Sequence, residues 1–118
     1  MRQLKAEKND FSHPVLRRAL TAALGSSLQH IYCEYCCLGT QGAINVSSAI
    51  HDNKNIKILS LRGNSIEKGA AKYFGSLLRI LSIHLETLDL SENLLHDGGG
   101  KLVAEGLQRN ESIKRIYM

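Results

Sequence analysis

Cys33-Glu34-Tyr35-Cys36-Cys37 is the stretch whose residue types come closest to a reactive centre, because it holds a C-x-x-C pair with His30 just upstream. Such a pair could ligate zinc or cycle as a dithiol. A structural zinc site needs four ligands, and no second C-x-x-C or H-x-H supplies the rest. A redox pair would open a helix. The cysteines are therefore read as small packing residues, with Cys37 the one open to solvent. Gly98-Gly99-Gly100-Lys101 invites a phosphate-loop reading, but G-x-x-x-x-G-K-[ST] fails at Leu95 and Leu102. His51-Asp52 and His96-Asp97 are neighbours in connecting segments, and adjacency alone brings no nucleophile to a base. No catalytic residue, metal or cofactor is expected.

The positions of these residues follow from a larger pattern. Leu85-Glu86-Thr87-Leu88-Asp89-Leu90-Ser91-Glu92-Asn93-Leu94-Leu95 reads L-x-x-L-x-L-x-x-N-x-L. The phrase recurs at Ile56–Ile66 and at Leu28–Leu38, with Cys36 where the others have Asn64 and Asn93. Ile113-Lys114-Arg115-Ile116-Tyr117-Met118 begins a fourth copy, and the spacings are 28, 29 and 28 residues.

Each copy divides the same way. Short strands are expected at about residues 29–33, 57–61, 86–90 and 114–117, because leucine-type residues alternate there with polar ones. A turn follows at Cys36, Asn64 or Asn93, whose structural role is to satisfy backbone groups left free where the chain leaves the strand. Glycine then precedes a helix, expected at 43–51, 70–80 and 101–109. The apolar faces are Ile44, Val46, Ala49 and Ile50; Ala70, Tyr73, Phe74, Leu77 and Leu78; and Leu102, Val103 and Leu107. Residues 1–11 read as a flexible leader. Residues 12–27 read as an N-terminal capping helix, with Ser12 as cap and Pro14 in its first turn. The repeat domain is 28–118, divided at 28–55, 56–84, 85–112 and the partial copy 113–118. One strand and one helix per repeat implies parallel strands with right-handed crossovers. The fold class is α/β, a right-handed β-α solenoid, with strands on a concave face and helices on a convex one. No single repeat holds alone, so stacking supplies the core.

The chain resembles the ribonuclease-inhibitor-like class of leucine-rich repeats. The period, the Cys36/Asn64/Asn93 position and the segments Asn64–Gly69 and Asn93–Gly98 carry the resemblance, over about residues 28–118. It implies a scaffold that binds protein partners. The class includes ribonuclease inhibitor, the Ran GTPase-activating protein, innate-immune receptor ends, tropomodulin-like actin caps and flagellar proteins.

The residues between the leucines form columns across the repeats: His30, Ile58, Thr87, Arg115; Tyr32, Ser60, Asp89, Tyr117; Glu34, Arg62, Ser91; and Tyr35, Gly63, Glu92. Tyrosine and arginine are enriched where binding energy concentrates. Tyr32, Tyr35, Arg62, Asp89 and Glu92 are the expected contacts with a protein partner. Alternative readings are a Ran-type GTPase regulator, or one part of a longer immune-receptor or cytoskeletal arc. The charge of +4 is mild and mixed in sign, so neither nucleic acid nor membrane is an expected partner. No apolar run is long enough to span a bilayer, and residues 1–10 have no secretory core. An odd number of cysteines then favours a reducing, cytoplasmic setting. The fourth copy stops at Met118 with its strand edge open, which points to a continuation or to self-association through that end.

Overall fold

The computed structural model describes residues 3–11, 18, 28–51, 53–80 and 83–118. Five strands, β1 (Gln3–Lys5), β2 (His30–Tyr32), β3 (Ile58–Ser60), β4 (Thr87–Asp89) and β5 (Arg115–Tyr117), form one parallel sheet in sequence order. Three helices, α1 (Gly39–Ile50), α2 (Lys68–Leu78) and α3 (His96–Gly106), link β2 through β5. The chain is a β-α solenoid. Ile31, Leu59 and Leu88 share one sheet register and are fully buried beneath the helices. The residues flanking them point to the opposite face, since side chains alternate along a strand. That register reproduces the columns read from the sequence.

Residues 1–11 are not a flexible leader over their described part. Gln3, Leu4 and Lys5 pair with His30, Ile31 and Tyr32. Beyond the strand, Ala6, Lys8 and Phe11 donate backbone hydrogen bonds to Tyr32, Glu34 and Cys36 carbonyls at 2.8, 3.0 and 2.8 Å. Leu4-Lys5-Ala6-Glu7-Lys8-Asn9 is therefore a further copy of the strand and turn. Its pattern is hard to see because a small alanine stands at an inward position held elsewhere by cysteine or leucine. The expected helix over 12–27 lies outside the described residues except at residue 18, which is helical.

The helices start earlier than the glycine pattern suggests, by four residues in α1, two in α2 and five in α3. Gly98, Gly99 and Gly100 lie inside α3 rather than ahead of it, and His96-Asp97 opens that helix instead of sitting in a connection. Close packing demands glycine instead where α2 and α3 cross, at Gly75 and Gly106. A Cβ on Gly106 would stand 2.3 Å from the Gly75 carbonyl oxygen, and one on Gly75 would stand 2.6 Å from that of Leu102. The backbones of α2 and α3 thus touch directly. Tyr73 does not join the apolar face of α2: it is 38% exposed, with Lys72 over its ring. Phe74 fills the core there instead.

The turns leaving the strands are held by side-chain amides. Asn64 is fully buried; its Oδ1 accepts from the backbone N–H of Cys36 at 2.9 Å and Leu38 at 3.2 Å. Its Nδ2 donates to the carbonyls of Cys33 at 2.7 Å and Leu61 at 2.9 Å. One repeat later, Asn93 repeats the arrangement: Oδ1 accepts from Asn64 N and Ile66 N at 2.8 and 3.1 Å, and Nδ2 donates to Leu61 and Leu90 at 2.9 and 3.0 Å. Cys36 stands at the same position with a thiol. Its Sγ donates to the carbonyl of Ala6 and reaches that of Glu34 at 3.3 Å. It thereby supplies the donor half of the amide's work.

A second asparagine position, not anticipated from the sequence, holds the approach to β3 and to β5. Asn53 Nδ2 donates to the Leu28 carbonyl at 3.1 Å, and Asn110 Nδ2 to that of Leu78 at 2.9 Å. Asn110 Oδ1 also accepts from Ser112 N and Ile113 N at 2.9 and 2.7 Å.

Replacing Asn64 by Ala leaves two buried N–H groups and two buried carbonyls without these partners. The expected cost is about 3 kcal/mol, read as a lowered urea midpoint. Cys36→Asn replaces the weak thiol acceptor by an amide oxygen and is expected to raise stability by about 1 kcal/mol in the same measurement.

Candidate functional site

The strand face carries four of the five expected contact residues as exposed or half-buried side chains on the turns and on β4, and Tyr32 on β2. Three of them form one bonded cluster. The Tyr35 hydroxyl donates to Glu92 Oε2, and Arg62 Nε donates to the same oxygen at 2.7 Å. The Arg62 guanidinium carbon lies 5.9 Å from the centre of the Tyr35 ring. Tyr35 and Glu92 sit two repeats apart in one column, with Gly63 between them. Gly63 makes the span possible: a Cβ there would fall 2.4 Å from two ring carbons of Tyr35. The tyrosine ring lies flat where any other residue would project.

The backbone supports this geometry. Lys8, Tyr35, Gly63 and Glu92 hold equivalent positions, and all have positive φ, between 53° and 70°. A bulky residue such as tyrosine rarely adopts that conformation. Here the Tyr35 N–H donates to the Arg62 carbonyl at 2.9 Å, and the Asn64 amide grips Cys36 immediately after it. The turn is therefore set by the stack rather than by residue preference.

Electrostatics follow from the bonds. The hydrogen bond to Glu92 raises the Tyr35 hydroxyl above the usual phenol range. Tyr35 and Arg62 together hold the Glu92 carboxyl below the usual carboxylate range. Tyr35 is 41% exposed, so this is a solvated cluster of pre-oriented groups.

The other two residues stand apart. Tyr32 is half-buried with the Lys5 ammonium 5.8 Å from its ring centre. Asp89 Oδ1 accepts from the N–H and hydroxyl of Ser91 at 2.9 and 2.5 Å. Glu34, not among the expected contacts, accepts from Ser60 Oγ at 2.7 Å, and Glu86 pairs with Lys114 at 3.2 Å and Lys57 at 3.8 Å.

Cys33 and Cys36 are buried and Cys37 is exposed, all as free thiols. Burial pushes the Cys33 thiol up to about 12, and burial also raises Cys36. Among the described residues no group of three or more His, Cys, Asp or Glu side chains could hold a metal ion. No helix among them is long and apolar enough to cross a membrane.

Residues 81–104, which include the third L-x-x-L-x-L-x-x-N-x-L phrase, match the family model described as Leucine Rich repeat. The chain is a leucine-rich repeat protein. It is similar to Protein NLRC5 of Ictalurus punctatus, 33% identical over 82 residues, covering 70% of this chain and 5% of that protein. It is also similar to Leucine-rich repeat-containing protein AAC1 of Dictyostelium discoideum, 29% identical over 101 residues, covering 83% of this chain and 12% of that protein. The chain therefore spans only a small part of either relative. In fold it is similar to Leiomodin-1 Actin-Binding Site 2, with a TM-score of 0.83 at 16% identity over 99% of this chain and 69% of that one.

The leucine-rich repeat cluster predicts a pH response with a definite sign. In a difference absorbance titration against Tyr35→Phe, the Tyr35 phenol is expected to ionise above the ordinary tyrosine range. Glu92→Gln is expected to bring it back down, because the neutral amide no longer repels the phenolate. Because folding depresses the Glu92 carboxyl, its contribution is present above the unfolded carboxylate range and fades as pH falls through the depressed value.

Proposed function

We propose that this leucine-rich repeat domain is a non-catalytic module that binds a protein partner through its strand face, with Tyr32, Tyr35, Arg62, Asp89 and Glu92 in contact. The observation that carries the reading is the exposed Tyr35–Arg62–Glu92 cluster over Gly63. An aromatic ring and an arginine held in fixed orientation lose little further freedom on binding, which is the condition for a binding hot spot. Membership of a repeat family that serves as interaction scaffold supports the same reading. A ribonuclease-inhibitor-like subclass and a reducing, cytoplasmic setting belong to this proposal, the latter supported by two thiols built into the fold's interior. The test is a photo-crosslinking amino acid placed at Tyr32 or, as a helix-face control, at Tyr73. Crosslinks to a protein are expected from the first position and not the second, and Arg62→Ala is expected to reduce them several-fold. Equal crosslinking from both faces, or indifference to Arg62→Ala, would sink the strand-face reading.

A second reading, self-association through the C-terminal strand, is supported by β5, whose outer edge pairs with no strand among the described residues. Beside it lies an open cavity of about 670 Å³ lined by Leu90, Leu95, Ala104 and Met118 among others. Light scattering across a concentration series is expected to give a mass that rises toward a dimer. A constant monomer mass removes this reading and leaves the first intact.

A further inference from the structure

The column Lys5, Tyr32, Ser60, Asp89, Tyr117 runs across all five strands, each residue in register with the next. Its two ends are built from the same parts but completed differently. At one end the Tyr32 ring carries the Lys5 ammonium at 5.8 Å. At the other, Tyr117 is 49% exposed, and among the described residues no cation lies over its ring. Its in-register neighbour is Asp89.

Asp89 also differs from the other carboxylates on this face. Glu34, Glu86 and Glu92 each bond to a side chain from another repeat. Among the described residues the Asp89 carboxylate bonds within its own turn, to Ser91, and both of those bonds fall on Oδ1. Among the described residues it is in no ion pair. The Arg62 guanidinium, which feels the Asp89 charge, is itself bonded to Glu92. The Ser91 bonds fix the Asp89 carboxylate in one orientation and leave Oδ2 available.

We infer that Asp89 and Tyr117 form a receptor for an arginine side chain of the protein partner, with the guanidinium stacked on the Tyr117 ring and donating to Asp89 Oδ2. Adjacent parallel strands lie about 4.8 Å apart, so one guanidinium can meet both groups at once. Its plane matches the ring face while its edge presents N–H donors, a combination that a lysine ammonium lacks. The Tyr35–Arg62–Glu92 cluster has already satisfied its own charges and flanks this receptor as a fixed wall. The inference rests on the strand-face reading above and names the chemistry that the partner brings to it.

The probe is a phage-displayed library of random peptides selected on the intact chain, with selected peptides then measured by fluorescence anisotropy. Recovered sequences are expected to share an arginine. Their affinity is expected to fall about tenfold on Asp89→Asn, on Tyr117→Ala, and on exchange of that arginine for lysine, and to survive Tyr117→Phe, which keeps the ring. Thermal unfolding of each variant separates lost binding from lost fold. Peptides that lose affinity on Tyr32→Ala or Arg62→Ala but ignore Asp89→Asn and Tyr117→Ala would overturn the arginine receptor and leave the strand-face reading standing. Peptides indifferent to all four substitutions would overturn both.

Discussion

Everything on the strand face depends on how backbone N–H groups are satisfied after each strand ends. The strands are only three residues long, so the chain leaves the sheet almost at once and enters a tight turn. That turn lies against the core, where unpaired peptide groups are costly. A side-chain amide solves the problem because it offers an acceptor and two donors from one planar group. Asn64 and Asn93 each use that group to join their own turn to the preceding repeat. The turn geometry this enforces puts Tyr35 and Glu92 at positive φ and so aims both side chains across Gly63. The exposed cluster is a downstream product of a buried amide.

Packing on the other side of the sheet follows a different rule. Gly75 and Gly106 bring α2 and α3 to backbone contact, which shortens the distance between successive repeats at the helix layer. Strand spacing is fixed by hydrogen bonds, but helix spacing depends on side-chain bulk. Small residues at the crossing therefore decide how the two layers fit together. Phe74, fully buried in α2, marks the opposite choice, where volume rather than proximity is needed.

Much of this was readable from residues alone, because a period of 28 or 29 residues carries leucines, asparagines and outward columns in fixed phase. The strand register follows from it. Other features depend on neighbours that the pattern does not contain. The first strand escaped notice because Ala6 is too small to announce an inward position and its flanks are charged. Gly98-Gly99-Gly100 has the look of a helix entry yet lies inside α3, and the glycines that a neighbouring backbone requires are Gly75 and Gly106. Tyr73 fits the apolar spacing of α2, yet Lys72 covers its ring on the outer surface. The bond from Tyr35 to Glu92 joins residues two repeats apart and exists only because the residue between them has no side chain. That is a three-dimensional coincidence of a missing atom, which spacing cannot express.

Cys36 gives the array an uneven grain. In a linear solenoid, each repeat is held by its neighbours alone, so cooperativity passes from rung to rung. A thiol rung binds Ala6 and Glu34 but offers a poorer acceptor to the turn beside it than an amide does. The seam between β1 and β2 is thus expected to be the weaker one, with amide protons of β1 exchanging sooner than those of β3 and β4.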